Sequence, residues 1–469
     1  MSDIKKFKID DIQKVKSAKV QNGFIIDSDG NSVDFNDPRI VYVLPEPRNS
    51  YGIRLVKDLY ASHNKNVRIS KETNASTLQY GKKICSGREC LACVAIAGEI
   101  LKDIHENRSE NEITIYITPI DQDGPCQNGA WPVIWKNFSK RLNLKNVLFY
   151  QIPNYYNNYL GLNKDFIAQE KLNFIIGQYI IEARNALRCT AEDEYCALNT
   201  FEEITTNFIE SVRMGEKTIK TGLVRWAKDV AKIPLKAKVE ETTKILIFGG
   251  LNLMFDHYPI EEFFLQKGII TKVADVSEGM TLLLSENTIR FGFSKGLLTP
   301  KDQFDEALIN FSELNEKEQK EAIRAKRTKS MINFIDTQCK MYRRIMSKSG
   351  LLFDSYIEID KLLEEGNKYV SSNSMTETPQ IVGRFLYSLK ENIYDGLINL
   401  GTFNCQPAMN SQAIIRPLAN KSDIPYAAVD CEGPWLASNQ IRLLETIAVQ
   451  AKRLRKKKNE LMKKSDNWL

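Results

Sequence analysis

Residues 39–47, RIVYVLPEP, contain the run that decides the fold class. A short apolar run rich in β-branched residues, followed by a proline loop, is typical of a strand buried on both faces of a parallel sheet. The next segment, SYGIRLVKDLYASH at 50–63, has apolar residues at helical spacing, and NVRIS at 66–70 predicts a second strand. A strand, a helix and another strand predict a right-handed crossover in a parallel sheet.

The alternation continues in two blocks. In the first block we predict helices in VAIAGEILKDIHEN and WPVIWKNFSKRL, and strands in EITIYITPI and NVLFYQIP. In the second block we predict strands in TKILIFGG, TKVADV, DGLINLG and PYAAVD, helices in EEFFLQKGI, IVGRFLYSLKENI and SQAIIRPLANKS, and a terminal helix from about Asn439. We therefore expect an α/β protein with two Rossmann- or flavodoxin-like lobes, each built on a parallel sheet.

The length of 469 residues, 43% of them hydrophobic, favours two or three domains over one core. Two long stretches show helical periodicity without a convincing strand, which predicts a helical connector and a helical insertion. We predict an N-terminal extension at 1–38, a first α/β lobe at 39–164, a helical connector at 165–241, a second lobe at 242–455 with a helical insertion at 301–372, and a basic tail at 456–469.

Charge and hydropathy exclude two classes of partner. The net charge of +6 is small against 65 basic and 59 acidic residues, and much of it lies in AKRLRKKKNELMKK, which we interpret as a solvated helix end. We expect no nucleic-acid partner. There is no apolar run of ~18 residues and no export signal in the charged segment MSDIKKFKIDDIQKVKS, which predicts a soluble cytoplasmic protein.

The nine cysteines indicate chemistry rather than disulfides, because a reducing compartment does not maintain a disulfide framework. Cys90 and Cys93 form a CLAC motif at a predicted helix start, where backbone N–H groups and the helix dipole stabilise thiolates. Cys126, Cys405 and Cys431 each follow a predicted strand, at the sheet edge where ligands usually bind. The five thiols predict a metal site formed between two facing lobes.

The pattern favours an iron–sulfur cluster over zinc. Structural zinc sites usually offer two close ligand pairs, whereas this chain has one, and the histidines show no ligand spacing (His63, His105 and His257). Single cysteines on several loops fit a cluster better. For Cys189 the ligand and core interpretations are balanced, and Cys85, Cys196 and Cys339 are more simply core residues.

Four segments carry a resemblance to a known family. SGRECLACVAIAGEI resembles SGxECxPCxxTxG, DGPCQNGAWPV resembles GPCRFGQY, FNCQPAMNSQAI resembles FxCMPxxxxxxI, and ILIFGGLNLMFDHYPIEEFFLQKGI resembles GEIYVRxNPFxNxxLxxxLExxGI. From about Arg39 to Arg455 the chain resembles the double-cubane-cluster branch of the 2-hydroxyacyl-CoA dehydratase and benzoyl-CoA reductase superfamily, including dehydratase-like domains of large activase-related proteins.

The resemblance implies a double-cubane or 4Fe-4S protein that receives low-potential electrons from an ATP-hydrolysing activator with its own cluster and reduces a small substrate. We expect a homodimer. The resemblance carries over Cys90, Cys93, Cys126 and Cys405 as ligands. Because a double-cubane needs about six thiolates, we add Cys189 and Cys431. The sequence departs from the family at Ala92, at Gln127-Asn128 and in GGLNL, so substrate choice does not carry over.

Other interpretations stay open. A relay or scaffold subunit would need the same ligands as an enzyme, and a zinc-stabilised α/β binding protein would need only some of them. The glycine loops GPCQNG and IFGGLN match neither GxGxxG nor GxxxxGK[ST], so we expect ATP hydrolysis to belong to the partner. No catalytic residue is assigned, although four side chains near the loops are candidates for proton delivery: Glu89, Asp123, His257 and Glu432.

Overall fold

Two compact units make up the chain: residues 1–46 with 57–167, and residues 47–56 with 168–469. The predicted helical connector therefore lies almost wholly in the second unit. A computed structural model describes residues 17–21, 23–44, 50–70, 73–118, 126–151, 160–250, 258–297, 311–374 and 376–466.

A small antiparallel sheet lies in the predicted N-terminal extension. Its strands are β1 Lys19–Gln21, β2 Phe24–Ile26 and β3 Ser32–Val33. The sequence did not predict them, because two or three residues carry too little alternation to identify a strand. The Ser28 amide donates to the Asn146 side chain at 3.1 Å, which fastens this sheet to the first unit.

The first unit contains a four-stranded parallel sheet, and all four of its predicted strands are confirmed. They are β4 Ile40–Leu44, β5 Asn66–Ile69, β6 Ile113–Thr118 and β7 Val147–Gln151, in the order β5-β4-β6-β7. The helices that follow β4 are α1 Ser50–Ser62, α2 Ala75–Lys82, α3 Leu91–Glu106 and α4 Trp131–Arg141, and residues 50–56 of α1 belong to the second unit.

The predicted connector is helical, as expected. It consists of α5 Lys164–Thr190, α6 Glu194–Arg213 and α7 Ile219–Val230. Side chains cap two of these helices: Asp193 accepts from the Cys196 amide and Thr218 from the Thr221 amide. Such caps satisfy N–H groups that have no partner within the helix.

The second unit repeats the sheet of the first. Its predicted strands are confirmed as β8 Lys244–Gly249, β9 Ile270–Val273, β10 Gly396–Thr402 and β11 Tyr426–Cys431, in the order β9-β8-β10-β11. Its further helices are α8 Tyr258–Leu265, α9 Val276–Ser294, α10 Glu316–Met346, α11 Ile359–Gly366, α12 Thr378–Glu391, α13 Gln406–Ala419 and α14 Ser438–Asp466. The two α/β lobes thus share one strand order.

A close helix pair precedes the third strand of the first lobe. A Cβ added to Gly98 on α3 would lie 2.0 Å from the Thr77 carbonyl oxygen, and one added to Gly81 on α2 would lie 1.9 Å from the Val94 carbonyl oxygen. No side chain fits at either glycine without moving the backbone. The two glycines therefore allow α2 and α3 to touch backbone to backbone.

The second lobe has the same helix pair. A Cβ on Gly383 of α12 would lie 1.8 Å from the Leu362 carbonyl oxygen, and one on Gly366 of α11 would lie 1.9 Å from the Pro379 carbonyl oxygen. Each of these positions is 285 residues beyond its counterpart in the first lobe. The lobes therefore repeat a helix pair as well as a strand order.

None of the helices in the described ranges is both long enough and apolar enough to cross a membrane.

Candidate metal centre

The first group of thiols lies at the start of α3. Cys90 is the N-cap residue and Cys93 lies in the first turn, with exposed fractions of 5% and 0%. The first N–H groups of a helix have no intrahelical acceptor, so a thiolate here gains from those donors and from the helix dipole. The predicted placement of the CLAC motif is confirmed.

Cys85 lies against this pair. Its sulfur and that of Cys93 are joined by a hydrogen bond, which lowers the pKa of Cys85 although burial opposes the shift. The same bond, together with burial, raises the pKa of Cys93, and the nearby charges of Cys85, Cys90 and Glu89 raise it further. Cys85, Cys90 and Cys93 therefore form a group of three neighbouring thiols.

A carboxylate shapes the loop between Cys85 and Cys90. Glu89 accepts hydrogen bonds from the amides of Ser86, Gly87 and Arg88 at 3.0 to 3.1 Å. Burial raises the pKa of Glu89, but these amides and the Ser86 hydroxyl outweigh it, so the pKa is lowered. An ionised clamp is a poor proton donor at neutral pH, so the geometry favours a structural role for Glu89.

Cys126 belongs to the same region. The Cys90 amide donates a 2.9 Å hydrogen bond to Oε1 of Gln127, the residue after Cys126. Cys126 is half-buried, whereas Cys90 and Cys93 are buried. The first unit thus brings three of the predicted ligands into one neighbourhood and adds Cys85.

Two tryptophans line the core behind these thiols. Trp131 and Trp135 belong to the same hydrophobic cluster as Cys90 and Cys93, with exposed fractions of 5% and 1%. Their Nε1 atoms are buried and find no hydrogen-bond partner among the described residues. Buried N–H groups are nearly always paired, so each of these two donors needs an acceptor from outside the described residues.

No three histidine, cysteine or acidic side chains are placed to hold a metal ion in the part of the chain that the structure describes. In a cluster each thiolate binds a different iron, so its ligands need not converge on one point. Thiolate ligands beside unpaired N–H donors fit that chemistry.

No protein-family model and no curated protein matches this sequence. The resemblance seen in the four motifs therefore stays a prediction. The assignment of the site depends on the chemistry and placement of its residues.

The second group of thiols lies at the carboxyl edge of the second sheet. Thr402 pairs with Cys431 across β10 and β11, and the Phe403 amide donates to the Cys431 carbonyl at 2.9 Å. Cys405 follows as the N-cap of α13, its amide bonded to the Thr402 carbonyl at 2.9 Å. Both thiols are buried, and Cys431 Sγ lies 3.3 Å from the Gly433 carbonyl oxygen. Neighbouring strand ends therefore place Cys405 and Cys431 at the same edge of this sheet, where the sequence predicts them.

The Cys189 thiol lies at the opposite edge of this sheet. Helix α5 runs antiparallel to β9. The side-chain amide of Gln178 donates to the Ala274 carbonyl just after the strand ends, whereas the side-chain amide of Asn185, further along the helix, donates to the Thr271 hydroxyl near the start of the strand. Cys189 is one turn further along α5 and so lies beyond the amino end of β9.

Several charged side chains lie near Cys189. Burial raises its pKa to about 12, with smaller effects from Arg188, Glu194, Lys236 and Lys452. The structure therefore does not bring Cys189 to Cys405 and Cys431, and its role as a ligand has no geometric support.

The remaining candidates are dispersed. Cys339 is buried on α10, where burial raises its pKa well above the ordinary value, and Cys196 is exposed on α6. Glu432 is exposed after β11, whereas Asp123 and His257 lie outside the described residues.

Sequence reasoning placed Cys85 among the core residues and so missed its position beside Cys93. A signal was present, since Cys85, Cys90 and Cys93 follow the spacing C-x4-C-x2-C that one class of iron–sulfur proteins uses.

Proposed function

We propose that this chain is an iron–sulfur protein that holds a double-cubane or 4Fe-4S centre with cysteine thiolates. The observation that carries the proposal is the grouping of Cys85, Cys90 and Cys93 at the start of α3, with Cys126 beside them. The unpaired indole N–H groups in the same core support it. The thiols of the second unit that fit the proposal are Cys405 and Cys431.

A bound cluster would supply one-electron chemistry at low potential. The chain supplies the thiolates, the helix N–H groups that favour their ionised form, and an apolar wall. Trp131 and Trp135 belong to that wall, and Glu89 holds the ligand loop in its turn. These features describe a protein that binds a redox centre and shields it from water.

The electron donor in this proposal is a separate ATP-hydrolysing activator that carries its own cluster. Neither GPCQNG nor IFGGLN has the spacing of a nucleotide-binding motif, which supports placing ATP hydrolysis on a partner. The proposal extends to reduction of a small substrate by a cytoplasmic homodimer. If no substrate reoxidises the reduced centre, the chain is instead an electron relay or scaffold.

A zinc-stabilised binding protein is the second candidate. The sulfurs of Cys85 and Cys93 are close enough to form a hydrogen bond, and with Cys90 and Cys126 they make four cysteines in one unit. Four thiolates are a common ligand set for structural zinc, and zinc binding would draw these thiols together. Metal identity therefore separates the two candidates.

Spectroscopy of the full chain tests the proposal. The protein is reconstituted without oxygen, reduced chemically and examined by electron paramagnetic resonance, alongside Cys90→Ser and the control Cys196→Ser, which changes an exposed thiol. A reduction-dependent signal in the wild type and the control, lost or altered in Cys90→Ser, supports an iron–sulfur centre. Zinc binding without such a signal supports the second candidate, and neither result rejects both.

A further inference from the structure

Cys85 has the contacts of a ligand rather than of a core residue. It is half-buried and packs against the cluster of buried residues that contains Cys90 and Cys93. The loop that joins it to Cys90 is held by four donors to the Glu89 carboxylate, from the amides of residues 86 to 88 and the Ser86 hydroxyl. A short turn of this kind fixes the position of both thiols relative to the helix start.

The core that contains the thiols has two buried N–H donors for which the described residues offer no acceptor. The indole N–H groups of Trp131 and Trp135 are buried without a partner in the described residues, although the rings are well packed: Trp131 lies edge-on to Trp135, and Trp135 stacks on Phe149. A buried, unpaired N–H costs about 1–3 kcal/mol. A bound group with sulfur acceptors would remove that cost.

We infer that Cys85 is a thiolate ligand of the proposed centre and that Trp131 and Trp135 donate N–H hydrogen bonds to its sulfur atoms. The inference rests on the proposed function and assigns three residues that the family resemblance does not. Ligation breaks the hydrogen bond between Cys85 and Cys93, and each thiol that ligates releases a proton to solvent.

The indole donors have a predictable effect on redox behaviour. Reduction adds negative charge to a cluster, and N–H groups directed at its sulfurs stabilise that charge. Removing one donor therefore destabilises the reduced state and makes the reduction potential more negative. A tryptophan that served only to fill space would not produce this shift when replaced by phenylalanine.

The ligand assignment is tested by iron content in three variants of the full chain. Cys85→Ser is compared with Cys189→Ser, which changes a buried thiol on α5, and Cys196→Ser, which changes an exposed thiol on α6. We expect Cys85→Ser to lose iron or to alter the electron paramagnetic resonance signal while its circular dichroism stays native. The other two variants should retain wild-type iron and signal. Unchanged iron and signal in Cys85→Ser overturn the ligand assignment.

The donor assignment is tested by redox titration of Trp131→Phe and Trp135→Phe. The control is Trp226→Phe, because Trp226 is equally buried but its N–H already donates to the Thr205 hydroxyl at 3.0 Å. A more negative reduction potential in Trp131→Phe and Trp135→Phe, with no shift in Trp226→Phe, supports the assignment. An unchanged potential in both Trp131→Phe and Trp135→Phe overturns it. If the wild type binds no iron, the proposed function itself fails; if it binds iron and Cys85→Ser behaves identically, only this inference fails.

Discussion

The backbone N–H of Cys90 donates a 2.9 Å hydrogen bond to Oε1 of Gln127 across 37 residues of sequence. This bond ties the start of α3 to the segment that contains Cys126. It also gives a role to a residue that departs from the family motif, where arginine is expected. The Gln127 side chain therefore helps to fix the relative placement of the two ligand segments.

Replacement of Gln127 by alanine should loosen Cys126 relative to α3. Loss of one partly buried hydrogen bond should lower the free energy of unfolding by about 1 kcal/mol. Iron should transfer to a chelator faster from Gln127→Ala than from the wild type. Gln266→Ala is the control, since that exposed side chain donates to Glu262 in the second unit, away from the thiols of the first. Equal iron release from Gln127→Ala and wild type would show that the bond does not position the ligands.

Replacement of Glu89 by glutamine should weaken the ligand loop in a pH-dependent way. The pKa of Glu89 is lowered in the folded chain, so its stabilisation is present above the ordinary pKa of glutamate and is lost as the pH falls through the lower, folded-state value. At pH 7 we expect the free energy of unfolding of the variant to be about 1 kcal/mol lower than that of the wild type, after allowance for solvent screening. Urea titrations should show this difference shrinking below pH ~4. If the variant and the wild type differ in stability by the same amount at pH 7 and below pH ~4, the ionised Glu89 carboxylate does not hold the loop.

Replacement of Lys272 by methionine should strongly destabilise the second unit. Its ammonium lies 3.1 Å from Glu182 and 2.9 Å from Asp354, and all three side chains are buried. Removing one charge leaves buried carboxylates short of a partner, which costs about 3–5 kcal/mol. Lys320→Met is the matched control, because the Lys320 pair with Glu316 is exposed and should change stability by less than about 1 kcal/mol. Chemical denaturation measures both, and similar losses in the two variants would sink the prediction.

Replacement of Asp336 by asparagine should change how stability depends on pH. Burial raises the pKa of Asp336 to about 6, with Glu358 adding to the shift and the Tyr356 hydroxyl and Lys340 opposing it. Because the folded chain binds this proton more tightly than the unfolded chain, ionisation destabilises the fold as the pH rises from about 4 to about 6. The variant should therefore gain stability relative to the wild type between pH 4.5 and pH 7. Denaturation curves that differ by the same amount at both pH values would rule out this titration.

The fold was largely predictable because its signals are local and strong. The strands Ile40–Leu44 and Lys244–Gly249 are short apolar runs between turn signals, which predict buried parallel strands wherever they lie. Helix α9 was missed because its polar and apolar residues are mixed around the whole helix instead of separated onto two faces, and buried positions include Ser277, Glu278 and Thr281. The repeated glycine contacts were also hidden, since close helix packing depends on tertiary structure.

The site was predictable where a thiol follows a strand or starts a helix. Cys90, Cys405 and Cys431 occupy such positions, and the structure places them there. The choice between Cys85 and Cys189 was not accessible to the same reasoning. It depends on a hydrogen bond between two sulfurs in one case and on the direction of α5 along β9 in the other.

The most direct test of the account is the amount of iron, acid-labile sulfide and zinc per full chain, purified without oxygen and reconstituted if pale. The account predicts about eight irons for a double-cubane centre, or about four for a single cubane, with sulfide in similar amount and both lost in Cys90→Ser or Cys126→Ser. Zinc alone, or no metal after anaerobic reconstitution, would contradict it.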